Sequence, residues 1–125
     1  MSVYLKFFLS VIFIILLSTS CKHKPNFSGL ATVSYSQQIQ PIINSNCTQS
    51  GCHGLQNQEE FGLLTYSDLI KHTEVVSGSP EQSELYHVIR SYNSEKVMPR
   101  APYKPLSEKQ IQLIYVWIGQ GALNN

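Results

Sequence analysis

The chain carries little charge of either sign, and this scarcity limits what it can bind. Charged residues make up 14% of the 125 positions, and nine Lys and Arg against eight Asp and Glu leave a formal net charge of +1. The basic residues form no cluster along the sequence. A protein that binds the phosphate backbone of a nucleic acid needs a concentrated basic surface. The sequence therefore predicts no nucleic-acid partner.

The chain also lacks a hydrophobic run long enough to span a bilayer. The apolar stretch from Phe7 to Leu17 is interrupted by Ser10, and its length of about eleven residues falls short of the roughly 20 that a transmembrane helix needs. Lys6 precedes this stretch and small residues follow it at positions 18–20. A positive residue, a short apolar run and small residues are typical of a secretory signal peptide. We predict that residues 1–20 are such a signal and that the protein is exported.

Cysteine is scarce as well, with three residues in the whole chain. Cys21 follows the small residues directly, and the pattern resembles a bacterial lipoprotein signal, in which this cysteine is acylated and becomes the first residue of the mature protein. The resemblance implies a lipid anchor at Cys21 on the periplasmic side of a bacterial membrane. Residues 21–33, broken by Pro25 and Gly29, then form a lipidated tether. The alternative is an ordinary signal peptide with a spare thiol nearby.

Strand-like alternation and internal repeats are both missing, so the remaining residues, 34–125, are predicted to form one all-α domain. Apolar periodicity and start signals predict four short helices. Pro41 falls within the first and is expected to bend it. Ser79 and Pro80 are expected to start the third. The predicted helices run over 34–46, 65–71, 79 to about 91, and 107–118.

The other two cysteines lie close to a histidine. Cys47 and Cys52 bracket four residues, and His53 follows directly. Two thiols can add to the two vinyl groups of one haem, and an imidazole next to the second thiol is then held against the iron. The Cys-x4-Cys-His arrangement resembles the haem-attachment motif of c-type cytochromes, which usually has two residues between the cysteines. We therefore predict one covalently bound haem c, attached at Cys47 and Cys52, with His53 as an axial ligand.

A second axial ligand is expected on a loop that can reach the other face of the haem. Met98 lies in a Pro-rich loop before the last predicted helix, and Pro99 biases it toward an extended backbone. Met98 is the best candidate for the sixth ligand. His87 is its main rival for this position and His72 is a second one, and either would give a bis-histidine haem.

The order of these features is similar to that of the small class I cytochromes c over residues 34–122. The shared features are a first helix, the cysteine and histidine motif, a methionine in a Pro-rich loop, and a final helix packed across the first. The resemblance implies a small all-α fold of four or so helices with long loops wrapped round one haem. It also implies His53 as the proximal and Met98 as the distal ligand. The implied function is electron transfer between redox partner proteins, with no enzymatic activity and no small-molecule substrate.

Other interpretations of the same residues remain open. Cys47 and Cys52 can form a disulfide in a non-redox lipoprotein. They can also bind zinc together with His53 and either His72 or His87. A haem-bearing accessory subunit of a larger membrane oxidoreductase is a further alternative. Four aromatic residues are expected to pack in the core or against the haem, and one of them can donate to a haem propionate; they are Tyr86, Tyr103, Tyr115 and Trp117. Arg100 can pair with the same group, although a solvated surface arginine is the more common case.

Overall fold

A computed structural model describes residues 25–55, 61–91, 93 and 95–125. All regular structure in these residues is helical and none of them forms a strand, which confirms the predicted all-α class for this part of the chain. The predicted signal peptide and Cys21 lie outside the described residues. In chain order the elements are a π-helical turn (Tyr35–Ile39), α1 (Gln40–Asn46), α2 (Tyr66–His72), a 3-10 turn (Pro80–Gln82), α3 (Glu84–Arg90) and α4 (Glu108–Gly119).

No helix in the described ranges has both the length and the apolar character needed to cross a membrane.

The first helix changes its hydrogen-bond pattern just before Pro41. The hydroxyl of Ser34 caps it by accepting from the N–H of Gln37, and the run begins as the π-helical turn. It continues as α1, with Pro41 in the first turn of that segment. Pro41 carries no backbone N–H, so it cannot donate to a carbonyl of the preceding turn. The structure shows a switch from π-helical to α-helical bonding at this point, and the expected bend stays a prediction.

α2 and α4 begin with the same capping arrangement. The hydroxyls of Thr65 and Ser107 accept from the backbone N–H of the third helical residue, and that residue's side chain accepts in return from the cap N–H. The returning side chains are Asp68 and Gln110. The side-chain hydrogen bond with Thr65 is the main cause that lowers the pKa of Asp68. Both predicted helix starts are confirmed.

The third helix begins later than predicted, which corrects the assignment of Ser79 as its cap. Ser79 makes no side-chain capping bond, and Pro80 opens the 3-10 turn rather than the α-helix. α3 begins at Glu84, and the fully buried Ser83 precedes it. The Ser83 hydroxyl accepts from the N–H of Val76 at 2.9 Å and donates to the carbonyl of Ser79 at 3.1 Å. Ser83 therefore ties the preceding loop to the start of α3.

Replacing Ser83 by alanine is expected to lower the free energy of unfolding by roughly 1–2 kcal/mol, because a hydroxyl that makes two part-buried hydrogen bonds is lost. Urea denaturation of the two proteins measures the difference. Ser67→Ala, at an exposed position of α2, is the matched control and should change the same quantity by less than about 0.5 kcal/mol. Equal effects of the two substitutions would contradict the role assigned to Ser83.

The hydrophobic core is built around Trp117, whose side chain is fully buried. Its indole N–H donates to the carbonyl of Leu123 at 2.9 Å, and its ring lies 5.7 Å from the ring of Tyr35. α4 therefore packs against the start of the first helix, as the family resemblance implied. The other fully buried aliphatic side chains are Ile39, Ile43, Leu69, Ile114 and Ile118.

Residues 25–33, here called the N-terminal strap, contact the end of α4. The N–H of Val33 donates to the side-chain oxygen of Gln120 at 2.9 Å, and the Gln120 amide donates to the carbonyl of Ala31 at 3.0 Å. A β-carbon at Gly119 would lie 2.2 Å from the ring of Phe27, so this glycine makes room for that ring. The predicted tether is thus bound to the domain over much of its length, and only residues 21–24 of it lie outside the described part.

Candidate functional site

The loop that carries the two cysteines closes on itself. Cys47 ends α1, and the N–H of His53 donates to the carbonyl of Cys47 at 3.0 Å. Between them, the N–H of Cys52 donates to the carbonyl of Gln49 at 2.9 Å, and Gly51 adopts a φ of +83°. This left-handed conformation costs glycine little. The four intervening residues therefore form a compact turn that returns His53 to the first cysteine.

The loop requires a glycine at position 54, directly after His53, and no sequence pattern indicates this requirement. A β-carbon there would lie 2.5 Å from the backbone oxygen of Thr48, a separation that real β-carbons do not show. Any other residue would force the two backbone segments apart. The close approach of Gly54 to Thr48 fixes where the chain runs as it leaves the motif.

The imidazole of His53 is held by a backbone carbonyl. Its Nδ1 lies 3.0 Å from the carbonyl oxygen of Phe61. A carbonyl can only accept, so Nδ1 carries the proton, and in the neutral ring Nε2 then bears the free lone pair. This is the tautomer of a metal-ligating histidine whose other nitrogen is held by a second group. The Phe61 ring also stacks on the imidazole at 4.7 Å, with an angle of 18° between the planes.

Two cavities of about 190 Å³ each meet at the motif. Both are lined by Cys47, His53, Met98 and Arg100, and we call the combined space the two-cavity cleft. The first cavity is also lined by Cys52. The second has apolar walls, which include Phe61, Leu85 and Ile89. The structure therefore brings together the four residues predicted to hold the cofactor, and Arg100 with them.

The loop around Met98 is attached to the rest of the site on two sides. The N–H of Met98 donates to the carbonyl of Val88 in α3 at 2.9 Å. The hydroxyl of Tyr103 donates to the carbonyl of Ser50 in the cysteine loop at 3.1 Å. The half-buried Met98 side chain thus lines the same cleft as His53. Its role as a ligand stays a prediction.

The two histidines considered as alternative ligands lie in different surroundings. His72 lines the second cavity, and its ring stacks on the Phe61 ring at 4.9 Å. His87 lines neither cavity; it is exposed on α3, in a polar groove with Glu84 and Lys96. Of the two, His72 is therefore the rival to Met98.

The four aromatic residues expected in the core or at the haem also lie in two different places. Tyr86, Tyr115 and Trp117 belong to the hydrophobic core or pack against it, and the indole N–H of Trp117 already has an acceptor. Of the four, only Tyr103 lines the cleft. A polar contact from this set to a bound group would therefore come from Tyr103.

Neither non-haem use of the cysteines finds support in the geometry. Cys47 and Cys52 are both free thiols. Burial, and less strongly the neighbouring Cys52, raises the pKa of the Cys47 thiol to about 12. A structural zinc site needs four ligands. Across the ranges that the structure describes, no three His, Cys, Asp or Glu side chains come together to hold a metal ion.

Comparison with known proteins supports the haem interpretation. The family model described as Planctomycete cytochrome C matches residues 50–101, less than half of the chain. The matched stretch contains Cys52, His53 and Met98 and begins after Cys47. Searches of curated proteins and of solved structures found no match. The family match and the helical fold together support a cytochrome c-type domain, and hence a haem-binding protein of the electron-transfer type that carries covalently bound haem c.

Proposed function

We propose that this chain is a membrane-tethered electron carrier with one haem c, bound through Cys47 and Cys52 and ligated by His53 and Met98. The observation that carries this proposal is that a single cavity is lined by all four side chains. Two thiols, an imidazole with a free Nε2, a thioether and apolar walls are the groups that a covalently attached haem requires. The residues present therefore fit the cofactor.

Each residue contributes a separate part of the chemistry. The bound haem supplies an iron that accepts and releases one electron. Cys47 and Cys52 hold it permanently to the chain, and the Phe61 carbonyl fixes the orientation of His53 and increases its basicity. Met98 would provide a thioether, which favours the ferrous state and raises the reduction potential. With His53 and Met98 both bound to the iron, small molecules would have no open position on the metal.

The proposal also specifies how the protein is anchored and how it contacts its partners. Acylation of Cys21 after export would hold the domain at the periplasmic side of a bacterial membrane. Partner proteins would contact the domain through a small interface, typically below roughly 1,200 Å², that forms and separates quickly. The anchor confines the search for these partners to the membrane surface. Support for the anchor comes from the sequence pattern that ends at Cys21.

Expression of the full chain in a host that matures c-type cytochromes tests the proposal. We expect an intact mass that includes one haem per chain and a lipid modification on Cys21. Acid-acetone extraction should leave the haem on the denatured polypeptide, and the reduced protein should show a sharp α-band. The control, Cys21→Ser, should keep the haem and lose the membrane association. A mass with no added prosthetic group would overturn the proposed function.

A further inference from the structure

The N-terminal strap and the end of α4 form an uncharged groove, which we call the strap groove. Its lining includes Phe27, Leu30 and Leu123, and no lining residue carries a charge. Leu30 and Leu123 are about half exposed, at 51% and 52%. Two exposed leucines on an uncharged surface are suited to an apolar or interfacial environment. The groove shares no lining residue with the two-cavity cleft.

The groove lies where the chain departs toward the predicted lipid anchor. Pro25, the first described residue, is part of its lining. Four peptide units separate Pro25 from Cys21, so fully extended chain spans only about 14 Å between them. The intervening Lys22 and Lys24 are basic and are attracted to anionic headgroups. An acyl chain on Cys21 would therefore keep this groove close to the lipid.

The strap is attached to the domain and cannot act as a long free linker. Phe27 packs at Gly119 and contacts the ring of Tyr115 at 5.5 Å. The two hydrogen bonds of Gln120 hold the strap further along, at Ala31 and Val33. A domain on thirteen free residues would tumble above the membrane, whereas one held by four residues presents a preferred face.

We propose that the strap groove is the membrane-facing surface of the domain, with Leu30 and Leu123 in the headgroup region of the bilayer. The inference rests on the proposed acylation of Cys21. Insertion of the two leucine side chains into the interface is favourable, and no charged group of the groove lining has to be desolvated with them. The cleft is lined by other residues.

The test uses acylated, haem-loaded protein in nanodiscs of phosphatidylethanolamine and phosphatidylglycerol that carry a gadolinium-chelating lipid. Paramagnetic broadening of amide signals in the reduced protein reports proximity to the lipid surface. We expect the strongest broadening at Leu30 and Leu123 and little at Ala101, which lines the cleft. Equal broadening across the domain, or the strongest broadening at Ala101, would overturn the inference.

Two variants and one control test whether the two leucines and the attached strap produce this broadening pattern. Leu30→Asp combined with Leu123→Asp should lose the groove broadening while keeping haem and lipid. Gly119→Ala should displace Phe27, release the strap and spread the broadening over the domain. Leu55→Asp makes the same chemical change at a more exposed leucine, 81% accessible, and should leave the pattern as in the unchanged protein.

The outcomes also separate the inference from the proposed function. An intact mass without lipid on Cys21 would overturn both the anchored carrier and the orientation. Acylated, haem-loaded protein with no preferred face would overturn the orientation alone. Retention of groove broadening in the double aspartate variant would show that the leucines do not enter the interface.

Discussion

Changing both Cys47 and Cys52 to serine is expected to abolish covalent haem. Each thioether needs a thiol, and a serine hydroxyl cannot take its place in the attachment reaction. Intact mass and haem absorbance after denaturing electrophoresis measure the result, with complete loss expected in the double variant. Each single variant should retain at most one thioether. Haem that survives denaturation in the double variant would show that other residues attach it.

The serine variants are informative because they leave the backbone of the motif intact. The acceptors for His53 are the main-chain carbonyls of Cys47 and Phe61, and neither substitution removes them. The close approach of Gly54 to Thr48 is likewise independent of the sulfurs. Loss of haem therefore reports loss of thiols rather than collapse of the loop. Far-ultraviolet circular dichroism checks that the helices persist, and Cys21→Ser provides a cysteine control outside the motif.

The helix starts that the sequence predicted correctly are those fixed by local interactions. Thr65 with Asp68, and Ser107 with Gln110, satisfy backbone groups within the first turn, so residue types at short spacing carry the information. Ser79 with Gln82 offers the same residue types at the same spacing, but the α-helix starts only after Ser83. The Ser83 hydroxyl accepts from the N–H of Val76, seven residues away, a contact that no local pattern encodes.

Features that depend on distant partners could not be predicted. The strap was interpreted as a tether because Pro25 and Gly29 break any periodicity, yet Val33 bonds to Gln120 at the other end of the chain. The core around Trp117 likewise depends on a distant partner, the ring of Tyr35. Tertiary contacts of this kind override local propensity.

In the candidate site, the sequence identifies the side chains that can hold the cofactor, but it does not identify the backbone groups that position them. Cys47, Cys52 and His53 lie close together in the sequence and are of diagnostic types, and Met98 is identified through its loop and its proline. The Phe61 carbonyl that holds His53 has no residue-type signature, because every residue carries one. Its loop follows residues 56–60, which lie outside the described part. Only the three-dimensional arrangement connects it to the histidine.

Replacing Met98 by alanine is expected to keep the covalent haem and lower its reduction potential. Removal of the thioether withdraws the ligand that favours ferrous iron, and we expect a fall on the order of 0.1–0.3 V, a part of the about 0.8 V that axial ligands can span. Potentiometric titration measures the shift. The far-red charge-transfer band that the cytochrome resemblance implies for a thioether–iron bond should disappear. Met98→Leu keeps the volume without the sulfur and should behave alike, whereas Val97→Ala should leave the potential unchanged.

His72 is the residue that can make this prediction fail. It lines the second cavity beside Met98, but its ring stacks on Phe61, which also stacks on His53. Turning His72 toward the iron would break the stack, at a cost of roughly 0.5–1.5 kcal/mol. With Met98 as ligand, His72→Ala leaves the potential and the charge-transfer band in place. An unchanged potential in Met98→Ala, together with a large change in His72→Ala, would assign the sixth position to the histidine.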